Sequence, residues 1–392
     1  MTLSVSLGLE QLMQSPPGYL KDRRVGLLCN SASVDHKLVH SRIRLKTLFG
    51  RGLTCLFSPQ HGLFAEKQDN MMESDHRRDP LLDVPVYSLY SRTRIPTQAM
   101  LDALDVLLID LQDVGTRVYT FVYTMSHCME AARQFGKKVV VLDRPNPIGG
   151  VHMEGNCLAS GFQSFVGRYP IPMRHGMTIG ELARMFNTAF NIGCDLDVVP
   201  MKGWRRDMLF GDTGLPWVAP SPNLPTPASA LVYPGQVLWE GTNVSEGRGT
   251  TQPFELFGAP FFEPYKILDL LPSGATRGAC LRPVEFEPTA NKWQGRRCHG
   301  FQIHVVEPDA FRPYRTSLSL LQAVLRRHSD EFQWKAPPYE YEYERMPIDL
   351  ILGDRQLREN LAAMQPVSDL ETSWGSDLQA FGQMRRAYLL YA

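Results

Sequence analysis

The sequence predicts a two-domain α/β protein, in which a parallel sheet covered by helices is followed by a smaller α+β domain. The chain has 392 residues, which exceeds the size at which one hydrophobic core usually keeps growing. Its first two thirds alternate short apolar runs with helical patterns, as βαβ proteins do. From about residue 265 proline and glycine interrupt this alternation. We therefore predict one domain over 1–264 and a second over 265–392.

Five apolar runs are the predicted strands of the parallel sheet. They are short and rich in Val, Ile and Leu, which is typical of strands that are buried on both faces. The helical patterns between them provide the crossovers that parallel strands need. The runs cover residues 24–30, 53–59, 105–111, 138–144 and 196–201.

Local signals predict where some of the helices lie. Apolar residues recur at helical spacing over 118–135, and Gly136 stands where a helix-ending glycine is expected. Thr178 and Glu181 have the spacing of a capping box ahead of an apolar run, which predicts the start of another helix. In the second domain a strand-like run at 300–306 precedes a further helical pattern.

Composition and charge argue against several kinds of function. Lys plus Arg and Asp plus Glu both number 41, so no net charge attracts nucleic acid or an anionic membrane surface. Seven scattered cysteines form no C-x-x-C pair, which disfavours a zinc site and a disulfide framework. The N-terminal segment lacks the pattern of a signal peptide, and no stretch approaches the roughly 18 apolar residues of a membrane span. We expect a cytoplasmic protein with no metal and with neither nucleic acid nor membrane as a partner; the sequence indicates no oligomeric state.

Polar motifs follow four of the predicted strands. Because loops at the carboxyl ends of parallel strands converge, ligands bind in the crevice between them. We therefore expect one site formed by the loops that begin at Asn30, Ser58, Gln112 and Asp143. Each loop taken alone has a structural alternative, since Asp, Asn, Pro and Gly also form ordinary turns. Their recurrence at one strand end after another favours a site.

A fifth polar segment, W-E-G-T-N-V-S-E-G-R-G-T, covers residues 239–250. Its glycines allow the backbone to approach a ligand closely. Glu240, Asn243, Glu246 and Arg248 offer the acceptors and donors that sugar hydroxyls require. The alternative is a solvated, glycine-rich connector.

Common cofactor and nucleophile motifs are absent from the sequence. No G-x-G-x-x-G opens a helix after the first predicted strand and no G-x-x-x-x-G-K-[ST] occurs, which disfavours NAD and ATP. There is no G-x-S-x-G nucleophile elbow either. We therefore expect no cofactor. Among the histidines, His61 and His175 are site candidates because each directly precedes a glycine in a polar loop.

Six motifs, in order, resemble those of the exo-β-N-acetylmuramidases, glycoside hydrolases long catalogued as a domain of unknown function. They are S-P-Q-H-G, D-x-Q-D-V-G-x-R-x-Y-T, L-D-R-P-N-P-x-G-G, H-G-M-T-x-G-E-L-A, P-S-P-N-x-P and E-G-T-N-x-S-E-G-R-G-T-x-x-P-F-E-x-x-G-A-P. The resemblance extends over nearly the whole chain, from about residue 24 to 380–392. It implies a Rossmann-like N-terminal domain, a smaller C-terminal domain, and a cleft between them that takes terminal β-linked N-acetylmuramic acid from peptidoglycan fragments.

One position departs from the family pattern. The muramidases carry Glu in a P-E-H-G motif where this chain has Gln60, and an amide cannot act as a general acid. Either another carboxylate has taken over, with Glu66 the nearest along the chain, or this branch has a changed substrate or binds a sugar without hydrolysing it. A nucleotide-sugar or phosphosugar enzyme on the same sheet is a further alternative.

Glycoside hydrolysis normally needs one protonated carboxyl and a second group that acts as base, nucleophile or stabiliser. The candidate catalytic residues are Gln60, His61, Glu66, Asp113 and Glu246. N-acetylmuramic acid carries a lactyl carboxylate, which the planar fork of an arginine suits best. The arginine candidates for this carboxylate are Arg117, Arg144 and Arg248. The full set of candidate substrate-binding residues is Asn30, Arg117, Tyr119, Arg144, Asn146, His175, Asn223, Glu240, Asn243 and Arg248.

Overall fold

The computed structural model describes residues 5–69 and 71–392. Its strands are β1 (Val25–Cys29), β2 (Leu53–Ser58), β3 (Arg77–Arg78), β4 (Pro85–Ser88), β5 (Val106–Asp110), β6 (Lys138–Leu142), β7 (Glu154–Cys157), β8 (Pro172–Arg174), β9 (Asp195–Val199), β10 (Leu256–Ala259), β11 (Ala279–Phe286) and β12 (Cys298–Val305). Its α-helices are α1 (Gly8–Gln14), α2 (Ser41–Phe49), α3 (Gln98–Leu101), α4 (Phe121–Gln134), α5 (Ile179–Thr188), α6 (Pro227–Gln236), α7 (Pro264–Asp269), α8 (Pro313–Arg327), α9 (Pro347–Leu352), α10 (Arg355–Ala362), α11 (Val367–Ser373) and α12 (Gly375–Arg385).

The largest sheet has seven strands in the order β3-β4-β2-β1-β5-β6-β9. All are parallel except β3, which pairs antiparallel with β4 at the edge. Counted along the chain, the parallel strands have the order 3-2-1-4-5-6, which is the doubly wound order of a Rossmann fold. This confirms the predicted fold class, and the five predicted strands correspond to β1, β2, β5, β6 and β9.

Helices cover both faces of this sheet because its strands are apolar on both sides. On one face Leu27 and Leu108 pack in a cluster with Leu45 of α2. On the other face Ile109 packs in a cluster with Met125 of α4 and with residues of α5. The helices cover the faces of the sheet and not its carboxyl edge, so the polar loops gather at that edge.

The predicted helix signals are confirmed with small shifts of their bounds. Helix α4 begins at Phe121 rather than 118, and Gly136 just after it adopts a φ of 64°, as a helix-ending glycine does. At the start of α5 the Thr178 hydroxyl accepts from the Glu181 amide, and the Glu181 carboxylate accepts from the Thr178 amide. This capping box is the one that the sequence predicts.

The rest of the chain contains a second, antiparallel sheet in the order β10-β12-β11, with α6 and α8 packed together beside it. Strand β10 precedes residue 264, so this sheet draws on residues from before the predicted domain junction as well as after it. The junction itself stays a prediction. The smaller α+β unit that the sequence predicts after the parallel sheet is present.

Candidate active site

A cavity of about 460 Å³, measured with its opening to solvent, lies beside the loops that follow β2 and β5. The first half of the chain contributes Gln60 and His61 directly after β2, and Tyr119 and Thr120 directly before α4. Later segments close the other side, so the cavity needs both halves of the chain. The lining residues are Gln60, His61, Val118, Tyr119, Thr120, Phe121, Val166, Ser221, Asn223, Leu224, Tyr233, Glu240, Arg248, Phe254, Tyr339 and Glu340.

Gln60 is held by hydrogen bonds on both ends of its amide. Its Oε1 accepts from the Thr120 hydroxyl at 2.7 Å, and its Nε2 donates to Glu340 Oε1 at 2.9 Å. The other oxygen of Glu340 accepts from the Tyr90 hydroxyl at 2.6 Å. Glu340 is 6% exposed, and its burial raises the pKa of its carboxyl despite these two hydrogen bonds. This part of the site therefore favours a protonated carboxyl.

Glu240 lies in a different environment in the same cavity. Its Oε1 accepts from Arg248 Nη2 at 2.6 Å, and its Oε2 accepts from the Tyr339 hydroxyl at 2.7 Å. Burial alone would raise the pKa of Glu240, but the Arg248 charge and these hydrogen bonds hold it below its ordinary value. Glu240 is therefore the carboxyl of this cavity that stays ionised.

A buried chain of alternating charges supports this carboxylate. Arg248 Nε contacts Glu246 Oε1 at 3.1 Å, and Lys292 Nζ contacts Glu246 Oε2 at 2.8 Å. Lys292 also donates to the backbone carbonyls of Trp239 and Val244. Each charge of this buried cluster therefore has a partner of opposite sign, as buried charges require. Arg248 nevertheless keeps a buried Nη1 for which the described residues supply no hydrogen-bond partner.

His61 lines the cavity with an uncharged imidazole ring. Its Nδ1 lies 2.7 Å from the carbonyl oxygen of Lys67, so Nδ1 carries the proton and donates. Burial lowers the pKa of His61 to about 4. At neutral pH its Nε2 is therefore an acceptor, which suits a hydrogen bond from a sugar hydroxyl.

Three residues that line the cavity have a positive φ angle, which residues other than glycine rarely adopt. The φ angles are 70° at His61, 65° at Phe254 and 47° at Glu340. Each left-handed residue costs on the order of 1–2 kcal/mol, so the surrounding packing must impose these conformations. Such strain is concentrated at functional sites, and here it fixes the direction from which each side chain enters the cavity.

Of the residues predicted from the sequence to form the site, six line this cavity. Tyr119 lies edge-on to Tyr233, with ring centroids 6.2 Å apart, and Asn223 donates to the Gln68 carbonyl at 3.1 Å. The six are Gln60, His61, Tyr119, Asn223, Glu240 and Arg248. Glu246 lies just behind them, where it pairs with the Arg248 guanidinium.

The loops after β1 and β6 also follow parallel strands of the sheet, but none of their residues lines this cavity. Arg144 Nε and Nη2 bind the Asp110 carboxylate at 2.6 and 2.9 Å, deep in the sheet edge. Asn30 donates to the Pro220 carbonyl, and Asn146 donates to the Met177 carbonyl. These hydrogen bonds join the loops to neighbouring segments of the chain.

Arg117 does not line this cavity either. Its guanidinium is buried and donates to four backbone carbonyls, which belong to Asn156, Ile171, Ile351 and Leu352. It therefore joins the loop after β5 to the helices near the end of the chain. Arg248 is the arginine candidate that lines the cavity.

The remaining candidates lie outside the cavity. Glu66 is the most informative, since its side chain is 38% exposed and faces Arg77 at 3.5 Å. This position does not suit a general acid for a substrate in the cavity. Asp113 and His175 contact each other at 3.2 Å in the interior, and the Asn243 amide donates to the Glu331 carbonyl.

Sequence reasoning did not find Glu340, Tyr339, Tyr90 or Lys292. The first two lie in P-P-Y-E-Y-E-Y-E, a segment that follows no predicted strand and belongs to none of the six motifs. The high density of Tyr and Glu in this segment is the sequence feature that could have indicated these residues. In the part of the chain described, no three His, Cys, Asp or Glu side chains are grouped so as to hold a metal ion.

Models of one known protein family match both parts of the chain. A family model described as exo-beta-N-acetylmuramidase NamZ, N-terminal, matches residues 25–228, and its C-terminal counterpart matches residues 231–391. The peptidoglycan beta-N-acetylmuramidase NamZ of Bacillus subtilis (strain 168) is 43% identical over 387 residues, which cover 99% of this chain and 91% of that protein.

Solved structures agree with these matches. One DUF1343 family protein from Bacteroides fragilis NCTC 9343 superposes with a TM-score of 0.89 at 33% identity, over 100% of both chains. A second protein of that family from the same organism gives a TM-score of 0.79 at 28% identity, over 99% of both chains.

A doubly wound fold, a cavity lined by two buried carboxyls, and 43% identity over 99% of the chain to a peptidoglycan beta-N-acetylmuramidase together identify an enzyme of the glycoside hydrolase class. Both parts of the family model match, and together they cover nearly the whole chain. The chain belongs to the exo-β-N-acetylmuramidase NamZ family.

Proposed function

We propose that this protein is an exo-acting glycoside hydrolase that releases terminal β-linked N-acetylmuramic acid from peptidoglycan fragments. The observation that carries the proposal is the 43% identity, over the whole chain, to a peptidoglycan beta-N-acetylmuramidase.

Arg248 is the proposed anchor for the lactyl carboxylate of the substrate. Its side chain is nine-tenths buried and lines the cavity, and its Nη1 is unpartnered among the described residues. A substrate oxygen within reach of Nη1 would satisfy this donor, and a charged acceptor would do so most strongly. Glucosamine derivatives lack the lactyl group, so this contact would select for muramic acid.

The experiment compares a chromogenic β-N-acetylmuraminide with the matching β-N-acetylglucosaminide. We expect release of the chromophore from the first and little or none from the second. Equal hydrolysis of both would contradict the muramic acid specificity. Hydrolysis of neither, with saturable binding of N-acetylmuramic acid in calorimetry, would support the alternative of an amino-sugar binding protein, which Gln60 favours because it cannot supply a proton.

We also propose that the protein acts in the cytoplasm, on fragments rather than on the intact wall. All seven cysteines are thiols, five of them buried, and this pattern suits a reducing compartment. Within the described residues no helix is both long and apolar enough to cross a membrane. Fractionation of the native host, with detection of the protein in the cytoplasmic fraction, tests the location.

A further inference from the structure

We infer that Glu340 is the general acid, the group that gives a proton to the leaving oxygen when the glycosidic bond breaks. The inference rests on the proposed function and names a residue for it. Glu340 comes from the loop between α8 and α9, far along the chain from the sheet. It reaches the cavity beside Gln60, whose amide has no proton to give at neutral pH.

The two hydrogen bonds to Glu340 fix its orientation. Gln60 Nε2 holds one carboxyl oxygen at 2.9 Å, and the Tyr90 hydroxyl holds the other at 2.6 Å. Tyr90 is itself fixed, because its oxygen accepts from the Met71 amide at 3.1 Å. A general acid must be positioned within hydrogen-bond reach of one substrate atom, and this network provides such positioning.

The surroundings of Glu340 favour its protonated form. Burial is the largest cause of its raised pKa, and the negative charge of Glu240 adds to it. Arg94 and the hydrogen bonds from Tyr90 and Gln60 act in the opposite direction without cancelling the rise. Glu240 is ionised because Arg248 and Tyr339 hold it so. Two carboxyls whose environments push their pKa values apart are the usual arrangement for an acid and a charge-stabilising partner.

The backbone keeps the Glu340 side chain in the cavity. Glu340 and Tyr341 both adopt left-handed conformations, with φ angles of 47° and 66°. Tyr341 in turn stacks on the Arg94 guanidinium, which lies 4.0 Å from the ring centroid. The loop is therefore held in a conformation that it would not choose in isolation, and the carboxyl is placed before substrate arrives.

The chemical step balances with water as the only co-reactant. The Glu340 carboxyl gives its proton to the glycosidic oxygen as the bond between this oxygen and C1 breaks, with both bonding electrons leaving on the oxygen. The oxygen of a water molecule bonds to C1, and the proton that this water loses passes to solvent. Glu340 recovers a proton from solvent, so the net reaction is addition of one water across the bond.

The test is Glu340→Gln, assayed on two substrates that differ in their leaving group. On a disaccharide of N-acetylmuramic acid β-linked to N-acetylglucosamine, we expect kcat/KM to fall by roughly 10²- to 10⁴-fold. On a nitrophenyl β-N-acetylmuraminide the loss should be much smaller, because nitrophenolate leaves without protonation. The fall in activity at high pH should also disappear in the variant. Equal losses on both substrates, or wild-type activity on the disaccharide, would overturn the assignment.

Further variants separate a chemical role from a structural one. Glu340→Asp keeps an acid in a displaced position, so we expect partial activity with the high-pH fall retained. Glu344→Gln is the matched control, since it makes the same carboxyl-to-amide change at an exposed position of the same loop and should leave kcat/KM unchanged. Loss of turnover in Glu66→Gln with retention in Glu340→Gln would instead assign the acid to Glu66. A wild-type protein that binds but hydrolyses neither substrate would overturn the proposed function itself, and the assignment with it.

Discussion

Two buried arginines lie near the carboxyl edge of the sheet. They differ in whether a buried guanidinium nitrogen remains without a hydrogen-bond partner among the described residues. Arg144 directs Nε and Nη2 to Asp110, and Nη2 also donates to the Val34 carbonyl. Arg248 binds Glu240 and Glu246 but retains a buried Nη1 without a partner among the described residues. The first arrangement uses Nε and Nη2 within the fold, whereas the second leaves Nη1 for the lactyl carboxylate of the proposed substrate. Burial and a carboxylate partner are common to both arginines, so these two features alone do not separate the two arrangements.

The largest effect that this comparison predicts is on stability, in Arg144→Ala. The variant leaves Asp110 as an uncompensated buried charge, so we expect a loss of about 3–5 kcal/mol in the free energy of unfolding. The measurement is denaturant unfolding, with kcat/KM determined on the fraction that remains folded. A large loss of kcat/KM in folded protein would show that the Arg144 cluster is functional after all.

Arg248→Lys should act mainly on activity. Lysine keeps the positive charge beside Glu240 but loses the planar fork, and with it the donor that Nη1 supplies. We expect kcat/KM on the muraminide to fall about ten- to a hundredfold, which corresponds to the loss of one charged hydrogen bond. Arg144→Lys is the matched control and should leave kcat/KM unchanged. If the two lysine variants lose activity equally, the distinction between the clusters is wrong.

A pH effect is expected in Gln60→Glu. The new carboxyl would lie within hydrogen-bond distance of Glu340, and two such groups cannot both ionise easily. The charged groups that face them, Glu240 and Arg94, remain unchanged. The acid should therefore stay protonated to higher pH, and the fall in kcat/KM at high pH should move upward by about one pH unit. Turnover that appears only in this variant would mean that the wild-type chain is a binder.

The smallest effect concerns Tyr339→Phe, which removes one hydrogen bond from Glu240. Without this donor the pKa of Glu240 should rise, so the loss of activity at low pH should begin at a higher pH than in the wild type. We expect about a fivefold fall in kcat/KM, because one hydrogen bond contributes about 1 kcal/mol. Tyr343→Phe is the control, since Tyr343 is exposed in the same segment and should leave kcat/KM unchanged. If the fall in kcat/KM at low pH begins at the same pH as in the wild type, Tyr339 does not influence the pKa of Glu240.

Much of the fold could be predicted from the sequence because its signals are local. An apolar run such as 105–111 and the spacing of Thr178 and Glu181 each depend on neighbours along the chain. The hydrogen-bond partner of a polar side chain, by contrast, often lies far away along the chain. Arg117 lies in a motif that resembles those of the family, yet it binds backbone carbonyls as far away as Leu352. No local pattern distinguishes that use of an arginine from the binding of a ligand.

The candidate site was predicted in part, and for the same reason. Gln60 and Glu240 could be found because each lies in a motif at the end of a predicted strand or in a segment dense in polar residues. Glu340 lies 280 positions from the glutamine that binds it, in a loop that no strand precedes. Glu66 is close to Gln60 in sequence, yet its partly exposed side chain faces Arg77 and does not line the cavity.

Because Gln60 and Glu340 lie far apart in the sequence, they are synthesised at different times. A ribosome completes the parallel sheet, Gln60, Glu240 and Arg248 long before Glu340 emerges. A nascent chain therefore already contains Glu240 and Arg248, yet it still lacks both Glu340 and the Tyr339 hydroxyl that binds Glu240. If Glu340 is the acid, an unfinished or prematurely terminated chain that ends before this loop has no means to cleave a sugar, whatever part of the binding surface it has formed.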